Sequence, residues 1–218
     1  MGGGGAPFFG VFGPLRELMG LEGLVYAMAD DAALVHTILD DLTDFRLALL
    51  GKVLEDVHVD QVLFFEDVCS TRGPMVGPGM FKEFFAPVFR RTISELRGMG
   101  VREFFVDTDG NAMSLIPDLI ACGVTGLVPC EVNAGMDAAE LRETFPTLNL
   151  SAGIDKCALA RSPEEIDAEL ERRFATAWGE GRYTPRQDHG IPPDVPWFNM
   201  QHYARHYLAR CAGPEDGR

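Results

Sequence analysis

Acidic residues recur at the ends of short apolar runs in this 218-residue chain. The runs QVLFF, REFFV, GLVPC, NLSAGI and GRYTPRQ are followed by Glu66 and Asp67, Asp107 and Asp109, Glu131, Asp155, and Asp188 and His189. Where parallel strands alternate with helices, the carboxyl ends of all the strands lie on one rim of the sheet. Carboxylates and an imidazole on such a rim can transfer protons or hold a divalent cation. The sequence therefore predicts an active site on that rim.

Asp107 and Asp109 are the pair most typical of a cation site. They are separated by one residue, so on an extended strand end both side chains point the same way. Two carboxylates this close repel each other, which favours either protonation of one of them or binding of a cation. The alternative stays open that Asp109 caps the following helix while Asp107 pairs with a surface base.

The remaining candidates are single polar residues near the same rim. His189 lies between Asp188 and Gly190 in a loop with three nearby prolines, a rigid setting that suits a ligand or a general acid. At the end of the first clear strand we expect Glu66, rather than Asp67, to face the mouth. The predicted catalytic residues are His189, Asp107 and Glu66. The predicted substrate-binding residues are Asn111, Arg72, Lys156 and Arg186, although Asn111 could instead begin a helix.

Five strand-helix units are predicted to position these residues. A glycine-rich start (1–13) and a helical stretch (14–58, with helices 15–28 and 32–56) precede them, and a tail (211–218) follows. The units pair strands 59–65, 102–106, 125–130, 148–153 and 182–187 with helices 78–98, 112–122, 137–144, 163–178 and 197–210. The pattern predicts an α/β fold with parallel strands. Because a closed TIM-type barrel takes eight strands, we expect one incomplete barrel domain over 1–218, holding about its five carboxyl-terminal units.

Composition excludes two classes of partner. With 19 basic and 33 acidic residues the formal charge is -14, which repels nucleic acid and anionic membrane surfaces. No apolar stretch approaches the roughly 20 residues that cross a bilayer, and the start lacks the basic and apolar segments of a signal peptide. We therefore expect a cytoplasmic protein.

Four segments in order resemble the uroporphyrinogen decarboxylase superfamily, which also contains the methylcobalamin:coenzyme M methyltransferases. They are FEDVCSTRGPMVGPGMFKEFFAPVFRR (65–91), VDTDGNAMSLIPDLIACGVTGLVPCEVNAGMDAAEL (106–141), SAGIDKCAL (151–159) and DHGIPPDVPWFN (188–199). The resemblance implies an α/β barrel longer than this chain, with about three amino-terminal units missing here.

The resemblance also implies site roles. Nothing here matches the amino-terminal arginine pair and early aspartate of the decarboxylases, but His189 matches their late histidine. The methyltransferases hold zinc with a His-x-Cys pair and a late cysteine. The corresponding positions are Asp107, Asp109 and His189, with Glu131 as a further ligand. These four residues are the predicted metal site, and their oxygen atoms shift the preference from zinc toward harder ions without excluding zinc.

Three functions therefore stay open. The first is carboxy-lyase chemistry of porphyrin biosynthesis, without a cofactor; three rim cations against at least five rim acids count against uroporphyrinogen as the substrate. The second is metal-dependent methyl transfer between a corrinoid, carried on a protein, and a thiol or related acceptor. The third is a non-catalytic half-barrel. The expected partners are a small tetrapyrrole or methylated substrate and, given the shortage of strands, a second copy or a complementing chain.

Overall fold

The computed structural model describes residues 9–177 and 181–212, except the side chains of residues 152, 176 and 177. The chain divides into two compact units, with the boundary between Leu127 and Val128. Most of the predicted glycine-rich start, the last residue of the predicted helix 163–178 and most of the predicted tail lie outside the described residues.

Three helices open the first unit: α1 (Phe12–Met19), α2 (Leu21–Asp30) and α3 (Ala32–Asp56). The prediction of a single helix over 15–28 was wrong. Gly20 adopts φ 71° and separates α1 from α2, a left-handed conformation that glycine reaches without a Cβ clash. By contrast, α3 has the predicted bounds. The side chain of Asp31 accepts the Leu34 N–H and caps it.

The strands of the first unit run parallel, as predicted. In β1 (Gln61–Phe65) and β4 (Glu103–Asp107), Gln61 lies opposite Glu103 and Phe65 lies opposite Asp107. A short antiparallel hairpin that the sequence did not predict, β2 (Cys69–Ser70) and β3 (Gly73–Pro74), follows β1. The strand β5 (Gly126–Val128) contains the boundary between the two units.

The predicted helix 78–98 is interrupted in its first half. It consists of α4 (Pro78–Met80), a π-helical turn (Phe81–Phe85) and α5 (Ala86–Gly98), while α6 (Ile116–Ala121) replaces the longer predicted helix 112–122. The four phenylalanines of this segment are buried in the core: Phe81, Phe84, Phe85 and Phe89. The Phe89 ring packs 5.1 Å from that of Phe64 on β1, so the helix is fixed to the sheet by aromatic contact.

The second unit repeats the strand-helix order. It contains α7 (Ala138–Thr144), β6 (Asn149–Ile154), α8 (Pro163–Ala177), β7 (Tyr183–Gln187) and α9 (Trp197–Cys211), with short 3-10 turns at Val132–Ala134 and Lys156–Ala160. The strands β6 and β7 are parallel. Ser162 and Glu165 exchange N–H to side-chain hydrogen bonds at the start of α8, the capping box that fixes a helix terminus.

The core of the second unit joins its strands to its last two helices. Ile154, Leu159, Ile166, Leu170 and Tyr203 form one buried cluster. Parallel strands followed by helices in both units confirm the α/β fold of a partial barrel. No helix among the described residues is both long and apolar enough to cross a membrane.

Candidate active site

Three carboxylates meet at the ends of β1 and β4 in the first unit. Asp67, Asp107 and Asp109, here termed the acidic cluster, each offer one oxygen atom, and these atoms lie within 4.8 Å of one another. All three side chains are partly buried. The predicted Asp107 and Asp109 pair is therefore brought together, and Asp67 is added to it.

The backbone of β4 positions the cluster. The carbonyl oxygen of Asp107 accepts the N–H groups of Glu66 at 2.9 Å and Asp67 at 3.3 Å. Asp67 itself adopts φ 45°, a conformation that few non-glycine residues adopt and for which aspartate and asparagine are enriched. Left-handed residues outside glycine concentrate at functional sites because the surrounding contacts must hold them there.

The acidic cluster concentrates negative charge. Burial and the neighbouring charge of Asp109 raise the pKa of Asp67, while the Asp109 N–H and Arg16 act in the opposite direction. Arg16 donates to the Asp67 carbonyl oxygen at 2.9 Å, and its Nη2 lies 3.7 Å from Asp67 Oδ2. Three carboxylates this close together attract a cation. A donor set made only of carboxylate oxygens suits hard divalent ions such as Mg²⁺ and Mn²⁺.

Glu66 lies away from the acidic cluster. Its carboxylate accepts the N–H groups of Val11 (2.6 Å), Phe12 (2.7 Å) and Gly13 (3.1 Å) at the start of α1. Burial raises the pKa of Glu66 to about 7, against the effect of these donors and of Arg46. Of the two neighbours at the end of β1, it is Asp67 that joins the cluster, and Glu66 holds the first turn of α1 in place. The catalytic role of Glu66 stays a prediction.

The two substrate-binding candidates of the first unit, Asn111 and Arg72, lie in the loop after β4 and in the turn between β2 and β3. Asn111 donates its N–H to the Ser70 carbonyl oxygen at 2.8 Å and accepts the Met113 N–H on its side chain at 3.1 Å. These bonds form an Asx turn at Asn111, and α6 begins only at Ile116. The substrate-binding role of Asn111 stays a prediction. Arg72 is exposed at the turn of the β2–β3 hairpin.

A buried carboxylate organises the strand ends of the second unit. Asp188 is fully buried and accepts the N–H groups of Val132 at 2.9 Å and Lys156 at 3.0 Å. Lys156 in turn forms an ion pair of 2.9 Å with Glu131, and both side chains are largely buried. Lys156 is thus engaged with a neighbouring acid, which leaves it less available to a substrate anion.

The other two predicted residues of this unit face solvent. His189, after β7, and Arg186, on β7, are both exposed. The predicted four-ligand metal site has Asp107 and Asp109 in the first unit and Glu131 and His189 in the second. It stays a prediction as a whole.

Sequence reasoning missed Arg16, placed Asp188 at a strand end without assigning it a role, and ranked Asp67 below its neighbour. Aspartate after a strand is a weak signal for a left-handed residue, and it was present at Asp67. No signal in the sequence links Arg16 to Asp67, which lies 51 residues away.

Comparisons with known proteins agree with this fold. A model of the uroporphyrinogen decarboxylase (URO-D) family matches residues 2–207. The uroporphyrinogen decarboxylase of Ruthia magnifica subsp. Calyptogena magnifica is 23% identical over 193 residues, which are 84% of this chain and 50% of that protein. A solved methyltransferase from Methanosarcina mazei has a TM-score of 0.70 at 18% identity, with 93% of this chain and 57% of that one covered. The chain therefore spans about half the length of the curated relative it matches.

Proposed function

Because the chain belongs to the uroporphyrinogen decarboxylase family, we propose that it acts in metal-dependent methyl transfer and that its acidic cluster holds the metal. The observation that carries the proposal is the approach of three carboxylates, Asp67, Asp107 and Asp109, to within 4.8 Å of one another. The decarboxylase alternative requires no metal, and such a concentration of acids would repel a substrate that is itself rich in carboxylates.

The residues around the cluster have definable tasks. A divalent cation bound there supplies Lewis-acid polarisation of a substrate oxygen or sulfur. Burial and, after it, the charge of Asp109 raise the pKa of Asp67, so a cation can replace a proton at this carboxylate. Arg16 holds the Asp67 carbonyl and so keeps the left-handed turn oriented. The proposed substrates are a methylated small molecule and a thiol or related acceptor, with a corrinoid protein as the carrier of the methyl group.

Metal binding tests the first half of the proposal. Purified chain is titrated with Mn²⁺, with free Mn²⁺ followed by electron paramagnetic resonance, and metal analysis identifies the ion that co-purifies. We expect D107N and D109N to weaken binding at least 10-fold, because each removes a ligand and its charge. The matched control is D60N, since Asp60 is exposed and its side chain pairs with His58. Equal binding by wild type, D107N and D109N would end the proposal.

Turnover tests the second half. The chain is incubated with methylcobalamin and a small thiol, and loss of the methyl group from the corrinoid is followed by absorbance. We expect activity that requires the added metal and is lost in D107N. Metal binding without any methyl transfer to a panel of thiols would remove this reaction while leaving the metal site intact.

Decarboxylation of a tetrapyrrole side chain is the second candidate. The match to a uroporphyrinogen decarboxylase over 193 residues favours it. In this function His189 and Arg186 engage substrate carboxylates and no metal takes part. Incubation with uroporphyrinogen, with chromatography of the oxidised products, tests it. Unchanged substrate in the presence and absence of metal excludes it for this chain.

A non-catalytic role in association is the third candidate. The helices of the first unit expose large apolar side chains, among them Leu18, Tyr26, Phe45 and Leu49, and such surface favours a second copy or a complementing chain. Sedimentation analysis tests this candidate. A monomer that unfolds cooperatively at micromolar concentration would contradict dependence on a partner.

A further inference from the structure

A second group of metal-ligand side chains lies on the helices of the second unit, away from the strand ends. Asp167 on α8 and His202 and His206 on α9, here termed the histidine cluster, offer ligand atoms within 4.8 Å of one another. The two histidines are four residues apart on one helix, so their rings share a face. The rings stack with centroids 4.0 Å apart.

Distances within the histidine cluster converge on one oxygen atom. His206 Nδ1 lies 2.7 Å and His202 Nε2 lies 3.1 Å from Asp167 Oδ1. Despite this proximity, Asp167 Oδ1 and His202 Nε2 are buried without a hydrogen bond of acceptable geometry to any described residue. Buried polar atoms of this kind are normally satisfied by a partner, a water or an ion. A simple ion pair therefore accounts poorly for two histidine nitrogens that lie this close to one carboxylate oxygen while two of the three atoms lack a hydrogen bond.

We propose that the histidine cluster is a binding site for Zn²⁺ or a similar imidazole-preferring transition metal, held between α8 and α9. Imidazole nitrogen suits zinc, copper and nickel, whereas Mg²⁺ and Ca²⁺ prefer oxygen. Tetrahedral zinc with bonds of about 2.0–2.1 Å places its ligand atoms about 3.3 Å apart. The observed separations of 2.7 and 3.1 Å reach that spacing by small side-chain rotations.

Nearby acids add to the attraction for a cation. Glu164 lies one turn before Asp167 on α8, and its carboxylate interacts electrostatically with His202 and Asp167. Its carboxylate is exposed and hydrogen-bonds Ser162 and its own backbone N–H, so water is the expected fourth ligand. One turn after Asp167, Glu171 is paired with Arg210 of α9 at 3.3 Å. The metal would thus add a strong link to an interface that the Glu171–Arg210 ion pair already joins.

Zinc binding by the intact chain decides the proposal. Equilibrium dialysis against Zn²⁺ at pH 7.5, followed by metal analysis, is applied to the wild type, the double variant H202Q/H206Q and the control H58Q, whose histidine is exposed in the first unit. We expect the double variant to bind one zinc fewer per chain than the wild type and the H58Q control to bind the same number. Equal stoichiometry in the wild type and the double variant overturns the site.

Two further variants keep the result interpretable. D167N retains both histidines, and we expect it to bind this zinc at least 10-fold more weakly. If circular dichroism shows that the double variant is unfolded, the D167N result decides by itself. Unchanged zinc affinity in D167N then overturns the proposal. D107N removes a ligand of the acidic cluster and should leave this zinc bound, so the failure of one site is distinguishable from the failure of the other. Zinc should also raise the melting temperature of the wild type more than that of D167N.

Discussion

Two adjacent arginines on α8 provide the sharpest test of the energetics described above. Arg172 and Arg173 both pair with Glu169, at 2.5 Å and 2.7 Å. Their side chains differ in exposure, 57% for Arg172 and 3% for Arg173. Arg173 also reaches Asp137 at 2.7 Å. The perturbation is replacement of each arginine by methionine, which keeps much of the aliphatic stem and removes the charge.

The expected magnitudes differ several-fold. Removing one partner of a buried ion pair typically costs about 3–5 kcal/mol, because the other charge is left uncompensated. Glu169 is almost fully buried, so R173M should lower the free energy of unfolding by about that amount. An exposed pair contributes about 0–1 kcal/mol, which is the expectation for R172M. The same carboxylate thus loses a partner in both variants, which differ in the burial of the arginine and in the second pair, with Asp137, that R173M also breaks.

Urea unfolding followed by circular dichroism measures both variants. Equal slopes of free energy against urea concentration are required, since a changed slope indicates a changed unfolded or native state. The Asp155 N–H also donates to Glu169 at 3.0 Å, so R173M should additionally raise hydrogen exchange at the end of β6. If R173M costs less than about 1 kcal/mol, or no more than R172M, burial does not govern this network and the reasoning fails.

Three further predictions use similar contrasts. G110A should unfold at a lower temperature than G100A. Both glycines have positive φ, but only at Gly110 would an added Cβ lie 2.5 Å from the Ser70 backbone. Comparison of the two melting temperatures therefore isolates the effect of that clash. Cys157 is exposed, whereas burial raises the pKa of Cys130 to about 12, so iodoacetamide at pH 8 should label Cys157 in the folded chain and Cys130 only after unfolding, as read by mass spectrometry. Burial raises the pKa of Glu66 from 4.5 to about 7, so the folded state holds a proton that the unfolded state has lost, and stability should fall by up to about 3 kcal/mol as pH rises through this window. The urea midpoints at pH 5 and pH 8 should therefore differ less in E66Q than in the wild type. An equal difference in both proteins would contradict this role of Glu66.

Sequence periodicity predicted those features that depend on local pattern. The bounds of α3 follow from apolar spacing and the Asp31 cap, and both are visible in the chain. The break at Gly20 was missed because a glycine inside a helix lowers helix stability by only about 1 kcal/mol. The sequence does not show whether such a glycine stays helical or adopts positive φ. The π-helical turn at Phe81–Phe85 likewise leaves the buried phenylalanine pattern intact and so gives no separate signal.

The candidate site was predictable only as far as strand geometry reaches. Asp107 and Asp109 followed from their spacing at a strand end. The choice between Glu66 and Asp67 depended on one backbone dihedral, φ 45° at Asp67, which moves the second side chain rather than the first into the cluster. Arg16 reaches the site through the docking of α1, a tertiary event without a local signature.

The buried residue Asp188 connects three segments of the second unit through hydrogen bonds, so that they are expected to move together. Its carboxylate accepts the N–H of Val132 after β5 and the N–H of Lys156 after β6. The backbone N–H of Asp188 donates to the carbonyl oxygen of Ile154 on β6. A ligand that displaces any one of these segments therefore strains the hydrogen bonds that Asp188 makes with the others. Substitutions that reshape a single loop are therefore constrained by its neighbours, and new specificity in this unit should arise through concerted changes around Asp188 rather than through isolated ones.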